Sequence, residues 1–116
     1  MVTQGSIIKI NFCPQVGCET AGYRPAVVIS NEIFNQKSRL SIVCPITNTV
    51  NNFPLHIPLD DRTKTTGVIM CEHVKSLDLR KRTYHVVEQL PDDILRQVIS
   101  VVSAEIAWGY GLERQE

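Results

Sequence analysis

At Pro91 the apolar residues of this 116-residue chain change their period, and that change bounds the fold more tightly than any other feature. Before it, apolar residues alternate or come in short runs. Ile8, Ile10 and Phe12 are separated by Lys9 and Asn11, and PAVVIS (25–30), LSIVCP (40–45), a run from Leu55 to Leu59 and GVIMC (67–71) follow. Alternation marks a half-buried strand, and a short unbroken apolar run marks a strand covered on both faces. After it, Ile94, Leu95, Val98, Ile99, Val102 and Ile106 recur at three- and four-residue steps, the stripe of an amphipathic helix. Pro91, Asp92 and Asp93 suit its first turn, where a missing N–H costs little and carboxylates meet the positive helix end. Gly109 marks its stop. Five or six short strands followed by one helix predict a mainly β fold with α, a small barrel-like domain with helical cover.

The connecting segments refine this picture. Residues 13–24 read as a loop, carrying Cys13, Pro14, Gly17, Cys18 and Gly22. Pro25 is expected at the head of the next strand, because proline cannot donate to a central ladder. Residues 31–36 suit one helical turn, capped by Ser30 or Asn31. Pro54 and Pro58 demote the run at 55–59 to an edge strand, and residues 60–66 form a polar turn. Residues 74–79 are predicted as a tight turn that carries Leu77 and Leu79 inward, and 83–87 as a last strand. The length suits one domain over 1–116 with one modest core.

Hydrophobic residues make up 43% of the chain and charged residues 21%, a soluble composition. No basic stretch followed by a long apolar run opens the chain, and no run approaches a membrane span, so a cytoplasmic protein without a signal peptide is expected. Cys44 and Cys71 lie inside strand runs and read as reduced, small hydrophobes, whereas Cys13 and Cys18 bracket a loop that a fortuitous disulfide would close. No paired C-x2-C occurs and His56, His73 and His85 are scattered, so neither metal nor cofactor is expected. Formal net charge is zero, which argues against nucleic-acid binding by bulk electrostatics. Charge is nevertheless uneven: residues 62–82 hold six basic against two acidic side chains, and residues 91–116 hold five acidic against two basic. A local positive patch in a neutral protein is the expectation.

Read in order, the chain gives GSIIKINFCPQVGCETAGYRPAVVISN, IVCPITNT, GVIMCEHVKSLDLRKR and then the helix. Its blocks G-x-I-x-x-x-x-F-x-P, G-x-E-x-x-G-x-R-P-A-V-V-x-S-N, P-I-T and V-K-S-L-D resemble, in that order, the MazF/PemK family of toxin endoribonucleases. The resemblance implies a small SH3-like barrel (CcdB/PemK-like) of about five to seven strands with a C-terminal amphipathic helix. It also implies a homodimer that cuts single-stranded RNA at short preferred sequences, with a cognate antitoxin whose disordered tail would cover the RNA groove. Carried over by motif, the catalytic residues are Arg24 in R-P-A-V-V, Glu19 before it and Thr47 in P-I-T. The family's usual glutamine before V-K-S is His73 here, and the tryptophan soon after S-L-D is Leu79.

These residue types suit metal-free RNA cleavage. RNA carries its own nucleophile, the 2′-hydroxyl, so the protein must align it, remove its proton, stabilise charge at phosphorus and protonate the departing 5′ oxygen. Arg24 offers a fixed fork of donors for phosphate oxygens but is a poor base, so its part is chiefly charge and secondarily proton delivery. Glu19 is the natural proton acceptor or the group that orients Arg24, and Thr47 is a hydrogen-bond donor. Gln15, Tyr23, Asn48 and Asn52 are candidates for reading unstacked bases, with Lys75 and Arg80 on the RNA backbone. His73 is either an acid–base group near RNA or a structural histidine, and Trp108 reads as packing. Two other functions stay open on sequence: a non-catalytic toxin of the same barrel that poisons DNA gyrase, and an inactive nucleic-acid-binding or regulatory relative.

Overall fold

A computed structural model describes residues 2–12, 23–49 and 52–107. In chain order its elements are β1 (Ser6–Asn11), β2 (Tyr23–Val28), α1 (Glu32–Ser38), β3 (Ser41–Thr47), β4 (His56–Pro58), β5 (Val68–Met70), β6 (Lys75–Leu77), β7 (Tyr84–Gln89) and α2 (Asp92–Ile106). The seven strands pair antiparallel in the order β4-β5-β3-β2-β1-β7, with β6 also on β3. Strand number and terminal helix agree with expectation, but the sheet is not a closed barrel: β4 and β7 end it without pairing to each other.

β3 is the spine. Its middle residues, Val43 to Pro45, pair with β2 on one side; on the other side its first three residues pair with β6 and its last two with β5. Apolar side chains fill both faces of β1–β2–β3, which explains the unbroken apolar runs. Ile7, Val27, Cys44 and Ile46 point to one core, closed by Ile94, Leu95, Val98 and Val102 of α2. Ile8, Ile10, Ala26, Val28 and Val43 point to a second, closed by Leu77 and Leu79. Cys44 and Cys71 are buried free thiols in the first core, and burial pushes them up to about 12 and about 11. Cys13 and Cys18 lie outside the described residues.

Four local expectations need correction. β2 begins at Tyr23, so Tyr23 and Arg24 belong to a strand and not to the loop, and Pro25 is its third residue. Pro25 has no N–H to give to a ladder, and the pairing of β2 with β3 stops at Ala26, the residue after it. Residues 75–77 form a strand rather than a turn, because Ser41–Val43 of β3 offers them an edge; Leu77 and Leu79 are buried as expected. Ile106 is 74% exposed although its spacing continues the helix stripe, since the core beneath α2 ends at Val102. α1 runs over seven residues, capped by the Asn31 side chain, which accepts the Phe34 N–H at 2.8 Å. None of the described helices is long and apolar enough to cross a membrane.

Candidate functional site

The pairing of β2 with β3 brings the two described motif residues together. Ala26 faces Pro45, Val27 faces Cys44 and Val28 faces Val43; carried two residues further, that register sets Arg24 opposite Thr47. Both lie just past the paired stretch of these two strands, while Arg24 still pairs with Ile10 of β1 and Thr47 with Val68 of β5. Side chains alternate along a strand, so Arg24 shares the face of Ala26 and Val28, and Thr47 that of Pro45 and Val43. The two therefore stand on one face, at the rim of the second core.

Thr47 is held in place by its neighbours. Its hydroxyl oxygen accepts the Thr49 N–H at 3.2 Å, which leaves the hydroxyl hydrogen for another acceptor. Gly67 packs against the Thr47 main chain with φ +118, and a Cβ there would fall 2.3 Å from the Thr47 carbonyl oxygen. The next residue, Asn48, accepts the Thr66 hydroxyl on Oδ1 at 2.9 Å, which orients its side-chain amide. Asn52 sits further along in the left-handed region, φ 58, a conformation asparagine accepts more readily than most residues.

Lys75 comes onto the same face from β6, opposite Val43. Its ammonium stands 5.1 Å from the centre of the Phe12 ring, a cation–π contact at the end of β1. Ile10 of β1 faces Arg24, so this contact turns Lys75 toward the Arg24 end of the face. Arg82 secures the same corner: Nη1 donates to the Phe12 carbonyl at 2.7 Å and to the Asn11 carbonyl at 3.3 Å. Sequence reasoning took Phe12 only as a packing residue and Arg82 only as one charge in a basic run. The alternation and the run were visible, but their meeting depends on β7 returning beside β1.

Other candidates are not gathered here. Tyr23 is adjacent to Arg24 in β2 and so faces the opposite side, where its ring lies 6.2 Å from that of His85. Arg80 is gripped by Asp78, with Nη2 to Oδ2 at 2.8 Å. It lines a cavity of about 400 Å³ with Val2, Arg39, Leu40, Leu79 and Tyr84, beyond the Ser41 end of β3. Six residues of strand, about 20 Å, separate that end from Thr47. His73 lies on the 3-10 turn before β6 with its side chain 55% exposed, 3.8 Å from Glu72. The structural histidine is His56, nearly buried, whose Nε2 meets Glu72 Oε2 at 2.7 Å. Burial works to raise the Glu72 carboxyl, but the hydrogen bond to His56, a main-chain hydrogen bond and the two neighbouring histidines together hold the group below its usual range. Gln15 and Glu19 lie outside the described residues. Among the described residues no cluster of three metal-binding side chains occurs.

This chain matches, over residues 3–105, a family described as PemK-like, MazF-like toxin of type II toxin-antitoxin system. It is 29% identical over 104 residues to the endoribonuclease PemK of Escherichia coli, which spans 86% of this chain and 78% of that protein. It is 35% identical over 78 residues to the endoribonuclease toxin MazF of Escherichia coli K12, 67% of this chain and 69% of that one. A crystal structure of a MazE–MazF complex from Deinococcus radiodurans superposes with a TM-score of 0.82 at 29% identity, covering 91% of this chain and 96% of that one.

Proposed function

This chain belongs to the PemK-like, MazF-like toxins of type II toxin–antitoxin systems, and from that premise we propose that its endoribonuclease activity cuts single-stranded RNA without metal, leaving 2′,3′-cyclic phosphate and 5′-hydroxyl ends. The observation that carries this reading is the register that sets Arg24 across from Thr47, with Lys75 on the same face. RNA lies over that rim with its scissile phosphate at Arg24. The 2′-hydroxyl gives its proton to Glu19 and its oxygen attacks phosphorus in line, while the bond from phosphorus to the 5′ oxygen breaks. Arg24 and the Thr47 hydroxyl donate to the non-bridging oxygens as their charge grows. The departing 5′ oxygen takes a proton from the Arg24 guanidinium, which is restored from solvent. Lys75 holds an adjacent phosphate, and Gln15, Asn48 and Asn52 read neighbouring bases.

The active form is a homodimer working in the cytoplasm, and a cognate antitoxin neutralises it by covering the groove. One experiment separates this reading from gyrase poisoning or simple binding. Purified protein is incubated with a long single-stranded RNA in EDTA, and the new ends are mapped. Discrete cuts with cyclic phosphate ends, absent for Arg24→Ala, are expected; RNA left intact across diverse sequences, or cleavage only after added metal, overturns the mechanism.

A further inference from the structure

The two edges of the sheet are finished differently. β4 is three residues long, ends on Pro58 and follows Pro54, so little of it can accept another strand. β7 is six residues long, contains no proline and pairs among the described residues on one side only, with β1. Its hydrogen-bonding pattern identifies the groups on the outer side. Asn11 N–H donates to the Thr83 carbonyl at 3.2 Å, and the same register continues through Tyr84 opposite Ile10, His85 opposite Lys9 and Val86 opposite Ile8. Residues of an antiparallel pair alternate between bonding their partner and facing away. Thr83 and His85 thus turn their main chain to β1, and Tyr84 and Val86 turn theirs outward. Beyond Val87 the 60–66 turn closes the edge, since the Glu88 carboxylate accepts the N–H groups of Lys64 and Thr65 at 3.1 and 2.8 Å.

The open stretch, 84–87, has a definite surface character. Val86 and Val87 are 49% and 38% exposed, and Tyr23 beside His85 is 51% exposed. Lys9 stands opposite His85, and Lys81 and Arg82 lie just before the strand. The acid of β7, Glu88, is occupied by the turn it caps. This edge therefore offers two outward main-chain donor–acceptor pairs, two valines and a positive border.

We propose that this edge receives an extended segment of the cognate antitoxin as an added strand, bonded to the main chain of Tyr84 and Val86. Apolar side chains of the segment cover the valines, and a carboxylate on it faces Lys9 and His85. The proposal rests on the toxin reading above. Tyr84 faces Ile10 and Ile10 faces Arg24, so the added strand runs three strand spacings, about 15 Å, from Arg24, and the antitoxin continues from it over the RNA rim.

The test uses this chain alone and in complex with the antitoxin encoded beside it. Amide hydrogen exchange at Tyr84 and Val86 is expected to slow at least tenfold in the complex, with little change at His85, whose N–H already serves β1. Val86→Pro removes one outward N–H without touching the β1 ladder, and is expected to weaken antitoxin binding at least tenfold while RNA cleavage by the free protein is unchanged. Val86→Lys, which keeps the backbone intact, is expected to do the same. A complex that forms with exchange at Tyr84 and Val86 unaltered overturns the proposal. So does protection that rises with the concentration of this chain alone, which assigns the edge to a second copy, or protection by a single-stranded RNA oligonucleotide. Failure of the free protein to cut RNA sinks the function proposed above, whereas these exchange rates decide the edge independently.

Discussion

Thr47 has one hydroxyl, and its oxygen already serves the Thr49 N–H. Only its hydrogen is left for the phosphate, so Thr47→Ser is expected to retain most cleavage and Thr47→Val to lose about 100-fold in kcat, the scale of one lost transition-state donor. Arg24→Lys is expected to fall nearly as far as Arg24→Ala, because an ammonium replaces the charge but not the two-pronged geometry. Both comparisons are read by single-turnover cleavage of a labelled oligonucleotide. The pair of Glu72 and His56 gives a pH prediction. The Glu72 carboxyl is depressed in the folded protein, so it contributes stability above the unfolded value of about 4.3 and loses it as pH falls through the folded value. Thermal melting of Glu72→Gln is therefore expected below wild type at pH 7, with the gap closing under about pH 4. His56→Ala leaves the partly buried carboxylate without its partner and is expected to cost about 1–3 kcal/mol in denaturant unfolding.

At the scale of elements, the β3–β5 pair depends on Gly67. Its φ of +118 and its closeness to the Thr47 carbonyl mean that Gly67→Ala must move one strand end or the other. A loss of about 1–3 kcal/mol is expected, with a fall in cleavage larger than the fraction unfolded explains. The periods in the sequence located the long elements, because Ile8, Ile10, Val98 and Val102 each report burial directly. They failed where neighbours decide. Lys75–Leu77 is too short to show a period, and becomes a strand only because β3 has an edge to fill. Tyr23 and Arg24 looked like loop because Pro25 reads as a strand start, yet that proline stands just past the last residue of β2 that pairs with β3. Arg24 and Thr47 were legible through their motifs, whereas Phe12, Arg82 and His85 join their neighbours by a chain reversal that no local pattern encodes.

For the whole molecule, zero net charge leaves room for a local positive site, because Lys75 shares a face with Arg24 while several acids are engaged elsewhere. Asp60 and Asp93 share Arg62, Asp78 holds Arg80 and Glu88 caps the 60–66 turn. RNA affinity is then expected to fall with salt on a shallow slope set by a few phosphates, shallower again in Lys75→Ala; fluorescence titration at several ionic strengths measures it. The two-sided core has a further consequence. In a sheet with one dry face, slipping a strand by one residue throws its apolar side chains into water, and the hydrophobic effect polices the alignment. β2 and β3 carry apolar residues on both faces, so a slipped chain would still bury them and melt much like the native one. It would, however, part Arg24 from Thr47. Refolded preparations of this protein would then hold a silent fraction, compact by every bulk measure and visible only as missing turnover per mole.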